Sequence, residues 1–170
     1  MSDEQLLGTT PKVTRILMSE EAIYGLILVS GMIVVSYNLT GTSLSALITV
    51  VVTVIVFFCA HVYAGTLSRL AATDGKAGLP ESLRGAVQHS LGMLLISLAP
   101  VAVLLLGVTR AVPDDLAVWC ALIIDALALG ILGWIAVAKW TRHWWLRLAS
   151  ALLTAAFGGI LIVLKAFIHH

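Results

Sequence analysis

The stretch LAVWCALIIDALALGILGWIAVAK, residues 116–139, decides the fold. It exceeds the ~20 residues that carry an α-helix across the hydrocarbon of a bilayer. Up to its terminal lysine it is apolar except for Asp125. A carboxylate near the middle of such a helix costs about 2.5–3.5 kcal/mol on insertion scales. That cost calls for a partner inside a helix bundle or for protonation of the acid. Ala117, Ala121 and Ala128 fall on or near the helical stripe of Asp125, and small side chains there let a neighbouring helix approach.

The whole chain shares this character. Of its 170 residues 60% are hydrophobic and 11% charged, with a mean hydropathy of +1.05, whereas soluble domains carry about a quarter charged residues. The expectation is an all-α, polytopic membrane protein: one membrane domain over residues 1–170. A net charge of +1 argues against nucleic acid as a partner. Neither CxxC nor HExxH occurs, so no metal or other cofactor is expected. Cys59 and Cys120 belong to different helices at different depths and are expected as free thiols. The first twenty residues are polar, with Asp3, Glu4, Lys12 and Arg15, and no small-residue cleavage site follows. The first hydrophobic segment is therefore expected to stay as an anchor.

Five spans are predicted, at about 21–38, 43–70, 86–108, 115–139 and 146–168, preceded by a polar arm over residues 1–19. Ser19, Glu20 and Glu21 read as a helix start, a hydroxyl cap followed by carboxylates in the first turn. The second helix is rich in β-branched residues but too long for a strand. Pro80 and Glu81 open the third helix ahead of its membrane portion, and Pro100 is expected to kink it. Residues 113–115 read as the cap of the fourth. Five spans put the termini on opposite sides. Lys12, Arg15, Arg69, Lys76, Arg84, Lys139, Arg142 and Arg147 fall on one side, against Arg110 and Lys165 on the other. The positive-inside rule then places the N-terminus in the cytoplasm and the C-terminus outside.

Sorted by depth, the polar side chains form a pattern. Asp125 lies about ten residues, roughly 15 Å, into its helix and so near the midplane. His61 is in the cytoplasmic half of the second span, and His89 and Glu21 are near the cytoplasmic mouths of the third and first. With Tyr24 and Tyr63 they would form a polar funnel that closes at Asp125, the kind of Asp/Glu/His chain found in proton relays and ion paths. The competing reading makes Asp125 structural glue, bonded to a hydroxyl of a neighbouring helix. In that reading His61 and Tyr63 are packed side chains, and Glu20 and Glu21 are helix-start residues.

Ser150, Thr154 and Gly158 recur every four residues, as do Ala151, Ala155 and Gly159. Such stripes admit close helix contact, either within the bundle or between copies. Gly25, Gly31, Gly130 and Gly133 suit close packing too. Trp140, Trp144 and Trp145, interleaved with Arg142 and Arg147, read as an interfacial belt on the lipid bilayer. His169 and His170 receive no role. No nucleophile elbow or Gly-rich phosphate loop occurs, and no enzymatic chemistry is assigned.

The stretches EEAIYG at Glu20–Gly25 and AHVYA at Ala60–Ala64 resemble those of a group of small, mainly actinobacterial integral membrane proteins of uncharacterised activity. The resemblance covers the first two helices. It implies a multi-span protein of the bacterial inner membrane and brings no activity with it. It also draws Glu21, Tyr24, His61 and Tyr63 together as neighbours in a helical hairpin. The resulting expectation is a small transport or channel-type protein, proton- or ion-conducting and homo-oligomeric. The alternative is a non-catalytic accessory or scaffold subunit of a larger membrane complex.

Overall fold

The computed structural model describes residues 20–138 and 140–168. The arm at residues 1–19, Lys139, His169 and His170, all of which figure in the readings above, lie outside the described residues. The described chain is all-helical: α1 Glu20–Thr40, α2 Ser43–Ala72, α3 Leu79–Val108, α4 Asp114–Ala138 and α5 Trp144–Ile168. All five are long and apolar enough to cross a membrane. The β-branched run at the centre of α2 is helical, since a helix satisfies every backbone polar group within one segment where lipid satisfies none.

Two short connections close one end of the bundle. Gly41, at φ +69°, donates its N–H to Tyr37 O at 2.7 Å and stops α1. Thr42 then caps α2, accepting from Ser45 N at 3.3 Å. Asp114 does more than open its own helix. Its Oδ1 accepts the N–H of Ser43 at 3.2 Å, while Ser43 Oγ donates to Asp114 O at 3.3 Å, so the start of α4 satisfies an otherwise orphan donor at the start of α2.

The other end, which carries Arg69, Lys76, Arg84, Arg142 and Arg147, is called the basic end below. There Asp74 and Gly75 turn through positive φ, and Gly75 N bonds Leu70 O at 2.8 Å to finish α2. Helix α3 continues without interruption through Pro100, which is buried. Helix α5 begins at Trp144, two residues ahead of the expected start.

Helix α1 is the hub. It packs against each of the other four, while α2 pairs with α3 and α4 with α5. The small-residue stripe of α5 is used inside the chain. A Cβ on Gly158 would stand 2.9 Å from Ala126 Cα, and one on Gly133 would stand 2.8 Å from Ser150 O and meet Thr154 Oγ1. Ser150 Oγ also donates to Gly133 O at 3.0 Å. Gly31 and Gly159 differ from expectation: a Cβ on either would meet nothing within 4 Å.

The apolar core falls into two layers. Val29, Ile33, Val34, Val50, Leu104, Val118 and Leu122 are among those filling the half away from the basic end. Ala22, Leu26, Leu129 and Leu132 fill the half toward it.

Candidate functional site

Between these layers α1 and α4 bring one polar pair together. Ser30 lies on the buried stripe of α1 with Leu26, Val29 and Ile33, and Asp125 on that of α4 with Ala121, Leu122 and Leu129. Ser30 Oγ donates to Asp125 Oδ2 at 2.7 Å. Asp125 is 0% exposed. Its second oxygen, Oδ1, has no hydrogen-bond partner among the described residues. Ala117 and Ala121 are buried on the same side of α4, which sets the acid against protein rather than lipid.

A second pair marks the basic end. Glu21 Oε1 lies 2.8 Å from His89 Nε2, with Glu21 nearly buried and the imidazole 59% exposed. Nine residues of α1 separate Glu21 from Ser30, about 13 Å along the axis. The layer of Ala22, Leu26, Leu129 and Leu132 lies over that interval.

The opposite end holds a third cluster, which the sequence reading did not single out. Lys165 is 0% exposed although it lies near the end of an apolar helix. Its Nζ donates to Asp115 Oδ1 at 2.9 Å and stands 4.1 Å from the Trp119 ring centroid and 4.9 Å from that of Tyr37. A carboxylate and two aromatic faces thus receive the cation where water does not. Asp115 and Asp125 are ten residues apart on α4, about 15 Å along the axis.

The other expected site residues lie apart from these three. His61 Nδ1 bonds Phe57 O of its own helix at 2.9 Å, and its ring tilts against Phe57 at 6.2 Å. Tyr24 and Tyr63 are exposed on the outer faces of α1 and α2. The partner of Glu21 is therefore His89 and not His61.

In the expected interfacial belt, Trp140, Trp144 and Trp145 are exposed. The rings of Trp144 and Trp145 stand 3.9 Å apart, and Arg142 is exposed beside them. Arg147 points back into the protein. Its Nε and Nη2 donate to Thr141 O at 2.9 and 2.7 Å, and Nη2 reaches Ala138 O at 3.3 Å, tying α5 to the end of α4. Cys59 and Cys120 are free thiols. No group of three metal-ligating side chains forms among the described residues.

Two of the site residues that were missed had a signal in the sequence. Ser30 is the one hydroxyl at mid-depth in the apolar run of α1, and Lys165 is a cation inside an otherwise apolar run. The arrangement offers three groups able to take up or release a proton or a cation, spaced along one bundle and separated by apolar packing. Comparison with protein-family models, with curated proteins and with solved structures finds no match.

Proposed function

We propose that this chain is a polytopic protein of the bacterial cytoplasmic membrane, forming a homo-oligomer that passes protons or a small cation across the bilayer. The observation that carries this reading is Asp125, a buried carboxyl at mid-depth with one oxygen unpartnered among the described residues. An ionisable group at that depth is expensive and marks a pathway more often than a packing site. Asp125 is the exchanging acid, Glu21 with His89 the cytoplasmic entrance, and Asp115 with Lys165 the outer exit. Tyr24 and Tyr63 face outward, His61 is half-buried against its own helix, and all three join the path only where a second copy covers them.

The orientation in this proposal rests on the Lys/Arg bias, with the basic end in the cytoplasm. Maleimide labelling of intact cells tests it: Lys76→Cys is shielded and Arg110→Cys labelled if the assignment holds, and the reverse overturns it.

The functional test is proton and cation flux into liposomes holding the purified chain, measured from pH 5 to 8 beside Asp125→Asn. Flux in the wild type that disappears in a folded Asp125→Asn variant supports the path. Normal flux in that variant sinks it.

A second reading draws on the apolar layer between Glu21 and Asp125, which separates the acid from the basic end. On that reading the chain is an accessory subunit, with Ser30–Asp125 as interhelical glue. Folded wild-type protein without flux, co-purifying stoichiometrically with a larger membrane partner, favours it.

A further inference from the structure

The basic end carries a polar groove that the proposed pathway does not use. It is about 630 Å³ in volume and is lined by Arg69 of α2 and by Pro80, Glu81, Arg84, Gly85 and Gln88 of α3. Arg69 is exposed and lies close against α3. Its guanidinium lies over Gly85, where a Cβ would come within 2.7 Å of Nη1 and 3.0 Å of Cζ. The missing side chain of Gly85 is what lets this cation lie flat against α3.

Among the described residues neither Arg69 nor Arg84 forms an ion pair, although Glu81 lines the same groove. Among the described residues no side-chain hydrogen bond occupies either guanidinium. Two planar forks with five N–H donors each, beside the amide of Gln88, thus open into one groove. The first turn of α3 also lines it, and its dipole favours negative charge. Leu79 and Leu83, on the same two turns, are exposed apolar side chains. They line a separate apolar pocket with Val62, Tyr63 and Leu67 of α2.

We propose that this groove binds a phosphate group bearing uncompensated negative charge, as found on the headgroup of an anionic phospholipid. Phosphate fits better than an isolated carboxylate: its several oxygens accept from both guanidinium forks and from Gln88 at once, and arginine forks match it bidentately. The groove reaches Gln88, at the level where α3 enters its expected span at about residue 86, which favours a lipid headgroup as the source of the phosphate. This site is independent of any flux through Asp125.

Native mass spectrometry of the full chain in detergent tests it, with phosphatidylglycerol and phosphatidylcholine as probes. The wild type retains phosphatidylglycerol in preference to phosphatidylcholine. Arg69→Gln/Arg84→Gln weakens that retention about tenfold or more, the loss of one charge-assisted contact or better. Arg110→Gln, at the other end, leaves it unchanged. Arg84→Gln alone, at an exposed side chain, keeps the test open if the double variant does not fold.

Competition by millimolar glycerol phosphate or inorganic phosphate would identify a soluble phosphate as a sufficient ligand. Failure of both to compete, with the lipid still retained through Arg69 and Arg84, would identify the lipid as the source. Equal retention in the wild type and the folded variants, no preference over phosphatidylcholine, or an equal loss in Arg110→Gln overturns the proposal.

Discussion

Ser30 and Asp125 meet through a 2.7 Å hydrogen bond although they lie 95 residues apart in the chain. The bond joins the hub helix α1 to α4 at a depth where apolar layers lie on both sides, so each partner has the other in place of water. Ser30→Ala leaves the buried carboxyl without its donor and is expected to destabilise the protein by about 1–3 kcal/mol. Asp125→Asn keeps an acceptor for the hydroxyl and is expected to cost less. Thermal unfolding in a mild detergent compares the two, and a less stable Asp125→Asn would contradict this ordering.

At the opposite end, the two members of the Lys165–Asp115 pair are expected to respond unequally to removal. Asp115 is 55% exposed and Lys165 fully buried. Lys165→Met leaves a carboxylate that can rehydrate, and its thioether can occupy the space between Trp119 and Tyr37, for an expected cost of about 1 kcal/mol. Asp115→Ala strips a buried cation of its carboxylate, for an expected cost of about 2–3 kcal/mol. Equal unfolding temperatures for the two variants would show that the aromatic faces alone suffice.

Two adjacent glycines of α5 should behave in opposite ways. Gly158→Ala drives a methyl against the Ala126 backbone, and overpacking of this kind costs about 1–3 kcal/mol. Gly159→Ala meets open space and gains up to about 1 kcal/mol from better helix propensity. The check is the pair of unfolding temperatures on either side of the wild type.

The Glu21–His89 contact is strong in geometry and modest in energy, because the imidazole is 59% exposed. A double-mutant cycle through Glu21→Gln and His89→Asn is expected to give a coupling of about 1 kcal/mol or less. A coupling of several kcal/mol would mean that His89 is shielded in the bilayer far more than its surface in the isolated chain implies.

Most of the helical architecture was legible from hydropathy alone. The expected span at 115–139 matches Asp114–Ala138 to within a residue at each end, because composition and length dominate there. Boundaries drifted where polar residues extend a helix by bonding back onto it. Thr40 Oγ1 donates to Ser36 O at 2.9 Å and carries α1 past its expected end at 38. Trp144 and Trp145, read as a belt ahead of a helix, open α5 themselves.

Position along each helix was legible for the polar residues, but the face each one turns to was not. Asp125 carries Ala117, Ala121 and Ala128 on or near its stripe, and those small residues marked its face. His61 also carries small residues on its stripe, Ala64 and Gly65, yet its ring bonds back to Phe57 O of its own helix. Lys165 read as one more outer charge because its partners Tyr37, Asp115 and Trp119 come from two other helices, which local sequence cannot align.

The pocket around Lys165 also follows the order of synthesis. Tyr37 belongs to α1, and Asp115 and Trp119 to α4, so everything that receives the lysine leaves the ribosome before α5 does. Burial of this lysine therefore waits on α5, the latest made of the three helices that meet there. Until Tyr37, Asp115 and Trp119 stand together, the charge on Lys165 has no partner to offset the loss of water.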